Sequence, residues 1–179
     1  VPGRPGAGRP PAAALLFLAP AVYGIIDLYP HLLSYYSEGV GGLTGAEKMG
    51  LETTYWCESY REAVDFINAN AHPGDTIWVE PWSSDVLVYY QLHGILRDDV
   101  VISGSGEYET ESVFGPDLVP AKVVRSYTQT TFVIIQYHQT FLLASGGPGE
   151  PLRQWLADRQ PAYRAEHLGV PIMEVYWNP

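Results

Sequence analysis

Cysteine occurs once, as Cys57, in a chain of 179 residues. A lone thiol permits neither an internal disulfide nor a cysteine-rich zinc site, so the redox compartment cannot be read from it. Positive charge is scarce as well: 10 Lys and Arg stand against 20 Asp and Glu, a formal net charge of -10. That balance opposes a phosphate backbone, whose binding draws on clustered Lys and Arg, and it argues against nucleic acid as a partner. Charged residues of either sign make up only 17% of the chain, while 46% is hydrophobic and 13% aromatic. Such a composition excludes disorder, collagen and coiled coil, and the length is that of one domain. There is no internal repeat. The histidines His31, His72, His93, His138 and His167 are scattered, with no HxxxH or HxH pairing, so no metal site is expected.

Phosphate and nucleophile motifs are also missing. Gly104-Ser105-Gly106 follows an expected strand, but position 109 is Glu, and Glu107, Glu109 and Glu111 would repel a phosphate. A plain loop is the expected reading there, and an exposed acidic stretch is the commoner explanation of the three glutamates than a calcium cage. No GxSxG elbow occurs, and Cys57 has no His near it in the chain. Cys57 is expected to be a small buried side chain at a helix start.

What is present divides into three parts. Residues 1–11 hold four Pro, three Gly and two Arg, the composition of a flexible, positively charged tether. Residues 12–28 form an apolar lead-in, with 15 uncharged residues at 12–26 closed by Asp27. A helical membrane span needs about 20 apolar residues, and Pro20 and Gly24 weaken the second half of this one. Three readings therefore stand: the outer end of a membrane helix, a signal-peptide core with a cleavage-like Ala19-Pro20-Ala21, or a buried helix. For a membrane helix, Arg4 and Arg9 precede the run, while all 20 acidic residues follow it. The positive-inside rule then places residues 29–179 outside the cytoplasm.

Residues 29–179 read as an α/β domain. Tyr60, Ala63, Val64, Ile67 and Ala71 have helical spacing, with Ser59 and Glu62 placed as a capping box. His72-Pro73-Gly74-Asp75 stops that helix, and strands are expected at 76–80, 99–103 and 131–137. A second helix is expected at 85–93, capped by Ser84 and stopped by Gly94, and a third starts at Pro151 with Leu152, Trp155 and Leu156 buried. Residues 162–177 read as a hairpin turning around His167-Leu168-Gly169. The element order predicts a three-layer α/β/α sandwich, with a mostly parallel sheet ending in an antiparallel hairpin.

The richest segment for chemistry is 29–56. Gly39, Gly41, Gly42, Gly45 and Gly50 separate the aromatic pair Tyr35 and Tyr36 from Glu52, Tyr55 and Trp56. Tyr and Trp beside a carboxylate can stack on and hydrogen-bond a sugar, and glycine lets the backbone come close. The competing explanation is that these rings wedge the loop against the domain or rest at a membrane interface.

This segment carries a resemblance. Residues 30–42 (PHLLSYYSEGVGG) and 45–56 (GAEKMGLETTYW) resemble the region just after the last membrane helix in bacterial multi-spanning glycosyltransferases of the GT-C type. That is the dolichyl-phosphate-mannose-protein mannosyltransferase and aminoarabinose-transferase-like superfamily. Leu168-Gly169-Val170-Pro171 through Val175-Tyr176 is similar to the way such chains finish. Ser37 departs from the pattern, which has Asn there, so a polar contact at that position does not carry over.

The resemblance implies a membrane region elsewhere in the polypeptide that binds a polyprenyl-phosphate sugar donor, with a catalytic acidic residue in an early extracytoplasmic loop. A divalent metal could serve that complete enzyme, with no ligand nominated in this chain. The chain itself is then expected to be a non-catalytic, extracytoplasmic C-terminal domain at the cell membrane, capping the active site or helping select an acceptor. Its partners would be the membrane region, the lipid-linked sugar and the acceptor. Tyr35, Tyr36, Glu52, Tyr55 and Trp56 are its candidate substrate-binding residues.

Two other classes remain open. One is a free-standing binding domain for carbohydrate or a small ligand, with its crevice at the strand ends around Glu80, Trp82, Ser103 and His138. The other is a soluble α/β enzyme using the same crevice, with Glu80 and His138 as an acid-base pair.

Overall fold

The computed structural model describes residues 12–55, 57–80, 84–104, 126–137, 145–147 and 149–178, with residues 12–17 and 38 described through their backbone alone. Trp56, Trp82, His138 and nearly all of the acidic loop after Gly104 lie outside the described residues.

The lead-in is a helix, α1 (Ala12–Asp27), that continues through Pro20. Its 16 residues span about 24 Å at the α-helical rise, against a bilayer core of roughly 30 Å. Among the described residues no helix is long and apolar enough to cross a membrane, so the expected transmembrane helix is not found as a complete span. In the second half of α1, whose side chains are described, Leu18, Val22, Tyr23, Ile25 and Ile26 are exposed.

The glycine-rich segment holds a helix that the sequence reading left as loop, α2 (Gly42–Lys48). Two left-handed glycines, Gly41 (φ 86) and Gly42 (φ 63), turn the chain into it. Gly45 allows the close approach: a Cβ there would sit 1.8 Å from the Val40 carbonyl oxygen. Leu43 and Ala46 are thereby buried, Leu43 against Leu28 and Val170.

Helix α3 (Tyr60–Asn70) buries Tyr60, Ala63, Val64 and Ile67, the stripe its periodicity predicts. The capping box does not form. Ser59 has helical rather than extended backbone angles (φ -74, ψ -15) and makes no side-chain cap, while Glu62 turns to His31 instead. Strand β1 (Thr76–Glu80) follows, then α4 (Ser84–Leu92), β2 (Val101–Gly104) and β3 (Phe132–Gln136). Helix α5 (Glu150–Leu156), β4 (Tyr163–His167) and β5 (Val170–Trp177) complete the chain.

The five strands form one sheet in the order β2-β1-β3-β5-β4. β1 pairs in parallel with β2 and β3, but β5 pairs antiparallel with both β3 and β4. The expected mostly parallel sheet is therefore corrected to a mixed one. The hairpin enters through its second strand, so both of its pairings run antiparallel. β1 and β3 are buried along their whole length, as a strand covered on both faces must be.

On one face Ile77, Val79, Ile134 and Val175 pack with α3 and with Leu87 and Val88 of α4. The other face carries Trp78, Val133, Ile135 and Tyr176 against Leu152 of α5. Truncating a fully buried side chain such as Ile67 to Ala would cost about 2–5 kcal/mol.

Candidate functional site

Tyr35 and Tyr36 follow a short 3-10 turn, Leu32–Ser34, at the foot of α1. The Tyr36 hydroxyl donates to the Glu52 main-chain carbonyl at 2.6 Å. Burial raises the Tyr36 phenol above its ordinary pKa, and the nearby Glu52 and Tyr55 raise it further. Four of the five expected binding residues thus fall in one region. Tyr35 and Tyr36 pack beside Leu28, Leu43 and Val170, Glu52 joins through its backbone, and Tyr55 is exposed at the edge. Trp56 lies outside the described residues.

Between this loop and α1 lies a cavity of about 220 Å³. Pro20, Tyr23, Gly24, Asp27 and Leu28 form its helical wall, and Tyr35, Tyr36, Gly42, Leu43 and Leu168 form the rest. Asp27 is the one charged residue of that lining among the described residues. The β4–β5 turn supplies Leu168, held at the unusual φ of 51 and exposed at the rim. Such a hollow accepts apolar matter more readily than polar, because a buried polar group without a partner is penalised.

A second group sits at the C-terminal end of the parallel strands. The chain leaves β1 for β2 on one side and returns to β3 on the other, so the switch point lies between β1 and β3. Glu80 ends β1 and is buried, accepting a hydrogen bond from Trp78 Nε1 at 3.0 Å. Ser103 is buried on β2, level with Trp78. The Glu80–His138 acid-base pair rests on a residue outside the described ones, as does the contribution of Trp82.

Sequence reasoning missed the company Glu80 keeps. Tyr60 is fully buried and its phenol is pushed well up, first by burial and then by Cys57, Glu80 and Asp85 around it. Cys57 is buried at the start of α3, as expected, in a left-handed conformation (φ 63). Next to it, burial raises the Glu58 carboxyl to about 6, which the backbone amides of Tyr55 and Glu58 offset only in part. Near pH 6 this carboxyl can take up or release a proton. Its sequence context, a lone acid before a helix, gives no signal of burial.

Glu174 was missed for a related reason. It is completely buried on β5 yet accepts from the Tyr137 hydroxyl (2.6 Å), the Tyr176 hydroxyl (2.5 Å) and Arg164 Nε (2.5 Å). Burial and this carboxylate push both tyrosine phenols up. With three donors on two oxygens the carboxylate is satisfied, and the group reads as a structural clasp between β4, β5 and the end of β3. Among the described residues no group of three or more His, Cys, Asp or Glu could hold a metal ion.

Comparison with known proteins adds no kinship: no family model, no curated protein and no solved structure matches the chain.

Proposed function

We propose that this chain is a non-catalytic extracytoplasmic domain of an integral-membrane glycosyltransferase that uses a polyprenyl-phosphate-linked sugar. In this reading it caps the membrane active site or helps select the acceptor, and it transfers no sugar alone. The observation that carries the proposal is α1: an apolar helix on which Leu18, Val22, Ile25 and Ile26 are exposed and form no part of the cavity lining. An apolar surface of that kind needs a cover, and Tyr23 at 69% and Tyr29 at 73% exposure suit the headgroup level of a bilayer. The sequence resemblance supplies the enzyme class. Tyr35, Tyr36, Glu52, Tyr55 and Trp56 would meet the lipid-linked sugar or the acceptor just outside the membrane. We read the helices on the two sheet faces as a three-layer α/β/α sandwich that holds this loop in place.

Vesicle flotation tests the proposal. The chain should float with lipid vesicles, and a Val22→Asp/Ile26→Asp double variant should stay in the soluble fraction with its fold intact. Equal flotation of both, or of neither, would remove the membrane placement. Sugar transfer by the chain alone from a polyprenyl-phosphate donor would remove the non-catalytic role.

A second reading rests on the strand ends. Glu80, a buried carboxylate at the end of β1 beside the switch point, favours a small-ligand or carbohydrate binding domain, or a soluble enzyme, working there. Saturable binding of a free sugar that is lost in Glu80→Gln would favour it.

A further inference from the structure

We infer that the cavity at the foot of α1 is a binding site for one acyl chain of a bilayer lipid. The inference rests on the reading that α1 meets the membrane and goes beyond it by assigning a ligand to a named hollow. Size decides first. At about 220 Å³ the cavity is smaller than the roughly 300–1,000 Å³ of pockets that enclose a whole small molecule. A hollow of this size admits a short run of methylenes, each about as large as a water molecule. A segment of a chain fits where a complete sugar-lipid does not.

Polarity decides next. A sugar would bring several hydroxyls into a space whose polar groups are few: the Asp27 carboxylate and the tyrosine hydroxyls, of which that of Tyr36 is already bonded to the Glu52 carbonyl. A phosphate headgroup would meet Asp27, the one charge of the lining among the described residues, and be repelled. A saturated chain has no hydrogen bond to lose. Position then names the source. The hollow opens beside α1, where Tyr23 and Ile26 are exposed, so a helix seated in a bilayer would bring the cavity against lipid tails. Gly24 keeps the helical wall low, Leu168 stands exposed at the mouth, and Leu28 and Leu43 close the floor.

The test is a titration of the whole chain with n-octylphosphocholine below its micelle concentration, read by the NMR signals of Tyr35, Tyr36 and Leu43. Saturable shifts are expected, whereas phosphocholine without a chain should give none. Gly24→Leu fills the hollow with a better helix former and should weaken binding about tenfold or more. Leu168→Asp is the second variant: Asp tolerates a left-handed backbone better than Leu and sets a charge at the mouth, so binding should again weaken.

Shifts that do not saturate, or that survive both substitutions in folded protein, would overturn the inference. So would tighter binding of a branched isoprenoid alcohol than of the straight chain. Flotation separates the two layers of the argument. A chain that binds octylphosphocholine but does not float keeps the cavity site and loses the membrane placement. A chain that floats without saturable shifts keeps the placement and loses the acyl site.

Discussion

His31 Nε2 lies 3.0 Å from Glu62 Oε1, joining the segment below α1 to helix α3 across 31 positions of sequence. His31 is almost wholly buried, and its ring also meets the ring of His167 edge-on at 5.2 Å. This pair explains why Glu62 does not cap its own helix. It also ties the foot of α1 to the domain, so the cavity and the Tyr35–Tyr36 loop keep a fixed place relative to the sheet.

Glu62→Ala should therefore destabilise the fold by about 1–3 kcal/mol, because it leaves a buried imidazole without its partner. Ser59→Ala should be neutral or slightly stabilising, since the Ser59 hydroxyl is buried with no hydrogen-bond partner among the described residues. A working N-cap would instead lose about 1 kcal/mol in that variant. Denaturant midpoints of the two variants decide the matter.

Glu58 gives a pH dependence whose sign is fixed. Its carboxyl titrates near 6 in the folded chain, against 4.5 for the free group. Between those values the folded state holds more protons than the unfolded one, so this group lowers stability as pH rises from 4.5 through about 6. Partial solvent screening limits the effect to about 1–2 kcal/mol. Glu58→Gln should gain about that much at neutral pH and flatten the profile across the window. Unfolding free energies measured at several pH values in wild type and variant check it.

Glu174→Ala should be among the most damaging changes, costing about 3 kcal/mol or more, because Arg164, the half-buried Tyr137 phenol and the buried Tyr176 phenol lose their common acceptor. Tyr137→Phe removes one donor of three and should cost about 1 kcal/mol. The test is their order in chemical denaturation: equal effects would mean that the carboxylate is not the centre of the clasp.

Much of the fold could be read from local pattern. Thr76–Glu80 announces a strand by its apolar run after a Pro-Gly stop, and Tyr60–Asn70 a helix by its stripe. The turn at Leu168-Gly169 also lies where the sequence places it. Helix α2 was hidden because its glycines argue against a helix on propensity, while their reason is tertiary: Gly45 lets the chain pass the Val40 carbonyl. The parallel content was overestimated because hairpin signals say that β4 and β5 pair with each other, not which of them joins the sheet.

At the candidate site, composition pointed to Tyr35, Tyr36, Glu52 and Tyr55, but not to how they meet. Tyr36 binds a main-chain oxygen of Glu52, an atom every residue has, so no spacing rule could find the contact. Glu174 escaped notice because its donors come from 37, 10 and 2 positions away, and only the sheet register brings them together.

The central claim is that the exposed side of α1 seats the domain on a bilayer, and depth measurement by spin labelling tests it most directly. Cys57 is buried, so labels can be directed to Val22→Cys on α1 and to Leu92→Cys on α4, both exposed positions. With vesicles present, the account predicts that the label at position 22 becomes accessible to oxygen and shielded from a water-soluble nickel chelate, while the label at position 92 stays open to the chelate. Equal exposure of both labels to the chelate would contradict it.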